Sequence, residues 1–385
     1  MATYYVRPDG SNTNTGTGPG VGSAWQTIGK ALASGSPVVG GDTVYISPGT
    51  YREGVTVGIA PSSNVNITAD PKALQFPGMT PDLVRWSAYT AGDNADPTVT
   101  PCNLGSASNL TFTDFVVDGH VASANGNCFH VSGPAQNITW RRCVMTARTS
   151  SCIRCASSSV VTFNWTIDSC YFQTNGTAVA IIPTDSVGSL GAINLNIVVT
   201  NCVFDSNLSN SQLALQPTLA AGTFVGGMTV YNCIFHRNSY GIYCNPINAF
   251  TTLYQVVVRN CIFIRSNTAS MNESLGGFIN ENYNRCIAAS RNVTNLGANT
   301  IASGIAGLDY SHGWIHGLTR YAHYAGIQTG VVDGSGTATG APATDMFGNT
   351  RPSPPSQGPF ERIAITASGV AGLLAHPGNT GGMRG

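Results

Sequence analysis

The sequence predicts an all-β chain folded as a right-handed, single-stranded parallel β-helix, with three strands per turn, an N-terminal capping helix and an irregular C-terminal cap. Three observations carry that expectation. A phrase close to "YQVVVRNCIFIRSN", residues 254–267, recurs along the chain. Within each copy the apolar positions keep a period of two, the alternation of a strand with one buried face. Charged residues make up only 9% of the 385, whereas Gly contributes 45 and Ser, Thr and Asn dominate the polar positions. Amphipathic helices need Lys, Glu and Arg on their wet face, while tight turns between short strands use Gly, Ser and Asn.

Aligned on its cysteine, the phrase gives "NITWRRCVM", "NWTIDSCYF", "NIVVTNCVF", "GMTVYNCIF" and "QVVVRNCIF", anchored at Cys143, Cys170, Cys202, Cys233 and Cys261. An earlier copy, "NLTFTDFVV", has Phe115 in the Cys place, and successive anchors lie 28, 27, 32, 31 and 28 residues apart. A period near 30 with small variation is the mark of a solenoid whose insertions fall in loops. Apolar residues stand five and three places before each Cys (Ile197 and Val199, Met228 and Val230, Val256 and Val258), at the Cys, and two places after it (Phe204, Phe235, Phe263). Two strands are thus out of phase by one residue, with a kink just before the Cys. Asn201, Asn232 and Asn260 occupy that kink, after Asp114 and Ser169 in earlier copies. Asn tolerates left-handed backbone and can bond its neighbours, so stacked copies predict an Asn ladder at one corner. A third strand is expected about ten residues later, in "NCFHVS", "SCIRCA", "TAVAII", "SQLALQ", "YGIYCN" and "LGGFIN". Six clear turns at about 4.8 Å per rung predict a rod of roughly 30 Å before the ends are added.

The chain is expected to divide into an entry with capping helix and first turn (1–60), the β-helix turns (61–296) and a C-terminal cap and contact segment (297–385). In "SAWQTIGKALAS", residues 23–34, Ser23 reads as the cap of a helix that presents Trp25, Ile28, Ala31 and Leu32 to the end of the core. Eleven Cys is an odd number, and most sit among Val, Ile and Phe, so free core thiols are expected, with disulfides as the alternative. Eight Asn-x-Ser/Thr sequons, Asn109 and Asn137 among them, are explained by chance in an Asn-, Ser- and Thr-rich chain and by turn chemistry rather than by glycosylation.

Lys+Arg 18 balances Asp+Glu 18, so no net field draws in nucleic acid or an acidic membrane, and no long apolar run spans a bilayer. The first residues, "MATYYVRPDGSN", lack the basic and apolar regions of a secretory signal, which implies assembly in the cytoplasm unless a signal has been removed.

Together, "YYVRPDGSNTNTG…AWQTIGKAL…GDTVYISPGTYRE", the repeats and "GVVDGSGTATGAPATDMFGNTRP…GPFE" resemble bacterial and phage members of the right-handed parallel β-helix (pectin-lyase-like) superfamily, over roughly residues 3–361. Enzymes of that superfamily act on acidic polysaccharides. Of the polygalacturonase-like motifs the chain offers only "VDGH", at Asp118 and His120, and hydrolysis needs two carboxyls about one bond. Lyase-like members use a Lys or Arg base with calcium held by carboxylates; calcium is expected here only on a lyase reading, and otherwise no cofactor. Lys30 and Lys72, the only lysines, lie outside the central turns.

Stacking the repeats brings Asp205 beside His236 and Ser206 beside Arg237, a candidate catalytic set in which Arg neutralises a uronate and His moves a proton. The bland alternative is an ion pair with corner hydrogen bonds. Arg141, Asp168 and Arg259 share an outward column. Tyr171, Tyr231 and Trp86 are candidate outward aromatics for sugar stacking, or for protein contact. Cys152 and Cys155 have metal spacing but read as strand residues, and His312, His316 and His323 read as packing in the terminal cap, so no metal site is assigned. The expected function is structural or adhesive: a phage virion component (tail fibre, tailspike or head decoration), homo-oligomeric, touching other virion or surface proteins and polysaccharide. The alternatives are a polysaccharide lyase or glycoside hydrolase acting on an acidic polysaccharide, and a bacterial cell-surface or extracellular β-helix protein.

Overall fold

The computed structural model describes residues 1–87, 100–119, 127–147, 151–155, 162–174, 179–182, 193–206, 213–215, 224–244, 255–264, 268–273, 278–287, 290–293, 296–301, 335–346 and 348–358. Three parallel sheets run along one axis, of 10, 9 and 9 strands. The first runs from Thr3–Val6 to Ile279–Asn282, the second from Gly49–Arg52 to Arg285–Ile287, the third from Val55–Thr56 to Ser290–Asn292. After the lone first strand Thr3–Val6, each described turn contributes one strand to each sheet and every pairing is with the turn before or after, which is a parallel β-helix. The coil extends further than the Cys-anchored copies, at both ends. One expected strand is corrected: "LGGFIN" is not a third strand, because Ile279 pairs with Val256 and opens a new turn in the first sheet. The third strand of the Cys261 turn is Ala269–Glu273.

The alternation fixes what fills the tube. Ile197, Val199, Met228, Val230, Val256 and Val258 of the first sheet are at most 1% exposed, as are the five anchor cysteines. On the second sheet Phe172, Phe204, Phe235 and Phe263 stack face to face, with centroids 4.9, 4.6 and 4.8 Å apart and planes within 6°. Those separations equal the rung spacing of a parallel sheet, so a side chain repeated at one register position must stack on its copies. The anchor cysteines form a file for the same reason: the residue after each Cys donates its N–H to the carbonyl of the Cys one turn earlier, from Tyr171 N on Cys143 O to Ile262 N on Cys233 O. All eleven cysteines are free and buried. Each anchor thiol donates to a carbonyl of the preceding turn, as Cys170 Sγ does to Trp140 O at 3.5 Å. Burial pushes the Cys143, Cys202 and Cys261 thiols well above their ordinary value.

The corner before each Cys is left-handed, with φ of 65° at Asp114, 50° at Arg142, 57° at Ser169, 54° at Asn201, 55° at Asn232 and 56° at Asn260. A non-glycine residue there costs roughly 1–2 kcal/mol, least for Asn and Asp. A second Asn row, not foreseen as a ladder, lies at the start of the first sheet. Asn137 Nδ2 donates to Asn109 Oδ1 (2.7 Å), Asn164 Nδ2 to Asn137 Oδ1 (3.0 Å) and Asn196 Nδ2 to Asn164 Oδ1 (3.3 Å). Three of these asparagines are sequon positions; the Asn137 and Asn164 amide nitrogens donate within the row, and that of Asn109 donates to Pro61 O at 2.8 Å.

A short helix closes the first end of the core. The capping helix spans only Ile28–Leu32; its N-cap is Thr27, not Ser23, with Thr27 Oγ1 accepting from Lys30 N. Trp25 lies before it in an extended bridge to Val6, and still buries completely with Ile28, Ala31 and Leu32. Glu53 accepts from Ile28 N and Gly29 N at the helix start. At the far end Asn284 takes the Cys place, its Nδ2 donating to Val258 O at 3.0 Å, and Glu281 points inward to meet Asn284, Arg291, Thr300 and the N–H of Gly297.

The C-terminal residues 335–346 and 348–358 do not extend the coil. They lie along its Asn corner as a hairpin closed by an antiparallel bridge between Thr344 and Thr350. Asn260 Nδ2 donates to Thr337 O and its Oδ1 accepts from Thr337 N, both at 2.8 Å. Asn201 Nδ2 donates to Thr344 O (3.1 Å), and Arg351 Nη2 donates to Asn201 Oδ1 (2.8 Å). On the return arm Asn232 Nδ2 reaches Ser356 O and Gly358 O, and Gln357 bonds Tyr283 O and Arg285. The expected Asn ladder keeps one direct rung, Asn260 Nδ2 to Asn232 Oδ1 at 3.4 Å; its other amides hold the hairpin. Asn260→Ala is therefore expected to lose about 2–3 kcal/mol, from two hydrogen bonds of about 1 kcal/mol each and the left-handed penalty. Hydrogen exchange at the Thr337 amide should accelerate in that variant more than exchange in the first sheet.

Candidate functional site

Two outward columns run along the second sheet; the first is buried from Val116 to Ile262, and the second at Asp205, His236 and Ile264. The first, Val116, Val144, Tyr171, Val203, Ile234 and Ile262, forms an apolar cluster outside the tube, joined by Met346 of the hairpin. At Gly358, where φ is 86°, an added Cβ would stand 2.9 Å from Ile262 Cδ1, so glycine lets the hairpin close on this column. The neighbouring column holds Asp205 in register with His236.

Asp205 and His236, 1% and 2% exposed, form a closed charged cluster with Arg237 and Tyr171. Asp205 Oδ1 accepts from His236 Nδ1 at 3.1 Å and from Arg237 Nη2 at 3.0 Å, and Oδ2 accepts from Tyr171 OH at 3.3 Å. Facing a carboxylate, His236 Nδ1 is the protonated nitrogen. Only Arg237 reaches outward, its side chain 25% exposed on a left-handed backbone of φ 52°. The stacking of Asp205, His236 and Arg237 thus matches the expected juxtaposition, with the carboxylate and imidazole almost fully covered and the guanidinium at the surface.

The aromatic candidates are corrected by the same geometry. Trp86 is fully buried: parity turns it inward against Phe112, Phe115 and Phe129, and its Nε1 donates to Glu53 O at 3.1 Å. Tyr171 is 5% exposed within the outer cluster. Tyr231 is outward and half-buried, but Gly340 of the hairpin rests on its ring: a Cβ there would stand 2.2 Å from Tyr231 Cε2. None of the three offers an open face to a sugar.

The exposed chemistry lies on the first sheet and the corner beside it. Thr111, Thr139, Thr166, Val198, Thr229 and Val257 form one outward column, and Thr113, Arg141, Asp168, Thr200, Tyr231 and Arg259 the next. Arg141 and Asp168 are in register, Nε to Oδ2 3.5 Å, with side chains 49% and 24% exposed. Asp168 Oδ1 is taken by Thr200 Oγ1 (2.8 Å) and Asn201 Nδ2 (3.4 Å). Next to Arg141 in the chain, Arg142 grips Asp114 with both Nε (2.7 Å) and Nη2 (2.8 Å). Arg142 is thus held in a two-pronged ion pair, whereas the terminal nitrogens of Arg141 have no hydrogen-bond partner among the described residues. Sequence reasoning placed Arg141 and Asp168 in this column but ranked them below the buried set.

Asp118 pairs with Arg85 at 2.7 Å; its expected companion His120, like His312, His316 and His323, lies outside the described residues. Cys152, Ile153 and Cys155 are all buried, and among the described residues no three His, Cys, Asp or Glu side chains converge on a point that could hold a metal ion. No described helix is long and apolar enough to cross a membrane.

No protein-family model and no curated protein matches this chain. Among solved structures, pectate lyase Pel9A is similar over 94% of this chain and 97% of its own, at 12% identity and a TM-score of 0.55. A rhamnogalacturonan lyase is similar over 74% of each chain, at 18% identity and a TM-score of 0.45. Pectin methylesterase from Aspergillus niger is similar over 77% of this chain and 86% of its own, at 12% identity and a TM-score of 0.40. At such identities the likeness is one of fold. The protein is a right-handed parallel β-helix, the fold it shares with pectate lyase Pel9A.

Proposed function

We propose that the protein acts on an acidic polysaccharide, as a lyase or hydrolase, and holds its substrate on the outer face of the first sheet with Arg141 pairing a uronate carboxylate. The observation that carries this reading is the open guanidinium of Arg141, 49% exposed beside the hydroxyls of the threonine column. A carboxylate bound there would accept two parallel N–H bonds, and neutralising it acidifies the adjacent ring C–H, the step that β-elimination requires. Arg141→Ala is expected to weaken binding of polygalacturonate or alginate fragments by roughly 10-fold or more, the worth of a charge-assisted hydrogen bond. The wild-type affinity should fall with added salt. Release of unsaturated uronate over a panel of acidic polysaccharides tests the lyase reading, and reducing-end release tests the hydrolase reading.

A second reading is supported by the burial of Asp205 and His236. A non-catalytic β-helix of a virion or cell surface, assembled as a homo-oligomer with other surface proteins, would keep the Arg141-dependent binding and show no turnover on any member of the panel.

A further inference from the structure

The third sheet carries a patch of different chemistry, remote from the Arg141 face. Tyr240 and Tyr243, on strand Tyr240–Cys244, are half-buried, and their rings stack with centroids 5.0 Å and planes 30° apart. Ile242 and Cys244 of the same strand fill the core, so Tyr243 faces outward, and the half-buried Tyr240 ring stacks against it. In register with Tyr243 come Asn272 and then Asn292 on the next two turns. Asn292 Nδ2 donates to Asn272 Oδ1 at an exposed position, 2.6 Å away. Among the described residues that bond leaves the Asn272 amide N–H pair and the Asn292 carbonyl oxygen available, in line with the phenol hydroxyls. Burial, and then the neighbouring Tyr240, push the Tyr243 phenol above its usual value and keep it a donor.

We propose that this patch is a binding site for a neutral glycan, with one pyranose ring against the tyrosine pair and its neighbours hydrogen-bonded to Asn272 and Asn292. Aromatic faces take the C–H face of a sugar, and primary amides supply both the donor and the acceptor that hydroxyls need. Charge complementarity selects an uncharged ligand. Glu273, the nearest acid on these strands, is 5% exposed and accepts from Phe278 N and Ile279 N, while Arg291 is paired with Glu281. The row Tyr243, Asn272, Asn292 spans about 10 Å at the rung spacing of a parallel sheet, room for two or three sugar rings.

The test is binding of the full chain to an array of neutral oligosaccharides (β-glucan, xylan, mannan and galactan fragments) beside acidic ones. A neutral class should bind, with at least a 10-fold loss on Tyr243→Ala and on Asn272→Ala, most of the affinity kept in Tyr243→Phe, and an unchanged Tm in each variant. Arg141→Ala should leave this binding untouched, which separates it from the acidic-polysaccharide reading. Absence of any neutral ligand, or equal binding by Tyr243→Ala, would overturn the proposal. So would Tyr243-dependent capture of a protein without any glycan.

Discussion

Phe204→Ala is expected to destabilise the protein by about 3–5 kcal/mol, the cost of deleting a fully buried aromatic side chain and leaving a void. Phe204 is the second ring of the stack Phe172–Phe204–Phe235–Phe263 and touches a parallel ring on either side, at 4.9 and 4.6 Å. Its two neighbours are held on adjacent rungs whose spacing is fixed by backbone hydrogen bonds, so they cannot collapse into the space. Urea unfolding followed by circular dichroism measures the loss. Phe204→Leu, which refills most of the volume, should recover a large part of it. A loss below about 1 kcal/mol for the alanine variant would mean that the turns can slide to close the gap, contrary to the observed register.

Asp205→Ala is expected to cost a similar amount, about 3–5 kcal/mol, because removing one partner of a buried ion pair strands the other. The carboxylate accepts from His236, Arg237 and Tyr171, and it is 1% exposed. Asp205→Asn keeps the shape and one acceptor oxygen, and Arg237 is partly exposed and can turn to water, so the asparagine variant should lose distinctly less. Thermal unfolding of the two variants side by side checks the ordering. A small and equal effect in both would show a solvated carboxylate instead of a sealed one, and would return Asp205 and His236 to contention as groups that meet a substrate.

The parts of the fold legible in the sequence are those where one side chain repeats at one register position. The Cys and Phe anchors and the valines before them are written every thirty or so residues, and a parity argument is enough to put them in the tube. Reading failed where the anchor changed. Cys261 is followed after only 23 residues by Asn284 in its place, so "LGGFIN" was assigned to the wrong sheet. The Trp86 copy has no cysteine to set its phase, and its tryptophan was turned outward when it belongs inside. The outer cluster did leave a signal: in "CVF", "CIF" and "CIF" the middle residue is apolar although its parity is outward, which a solvated sheet face would not favour. What covers it was not legible, because the hairpin meets the Asn corner across 124 to 150 residues of chain at Asn232 and Asn201. No local pattern encodes a contact of that range. The candidate site was legible to the same degree: stacking brought Asp205 to His236 and Arg141 to Asp168, but only the three-dimensional arrangement separates the sealed pair from the open one.

The hairpin also bears on how the molecule comes apart. A solenoid joined only by neighbour-to-neighbour pairing is a linear array, free to fray from its end one coil at a time. Bonds from residues 337–358 to Asn201, Asn232, Asn260 and Tyr283 tie four successive coils to a single segment. Peeling the last coil then requires breaking contacts made with the others, which converts stepwise fraying into one cooperative melt of that part of the rod.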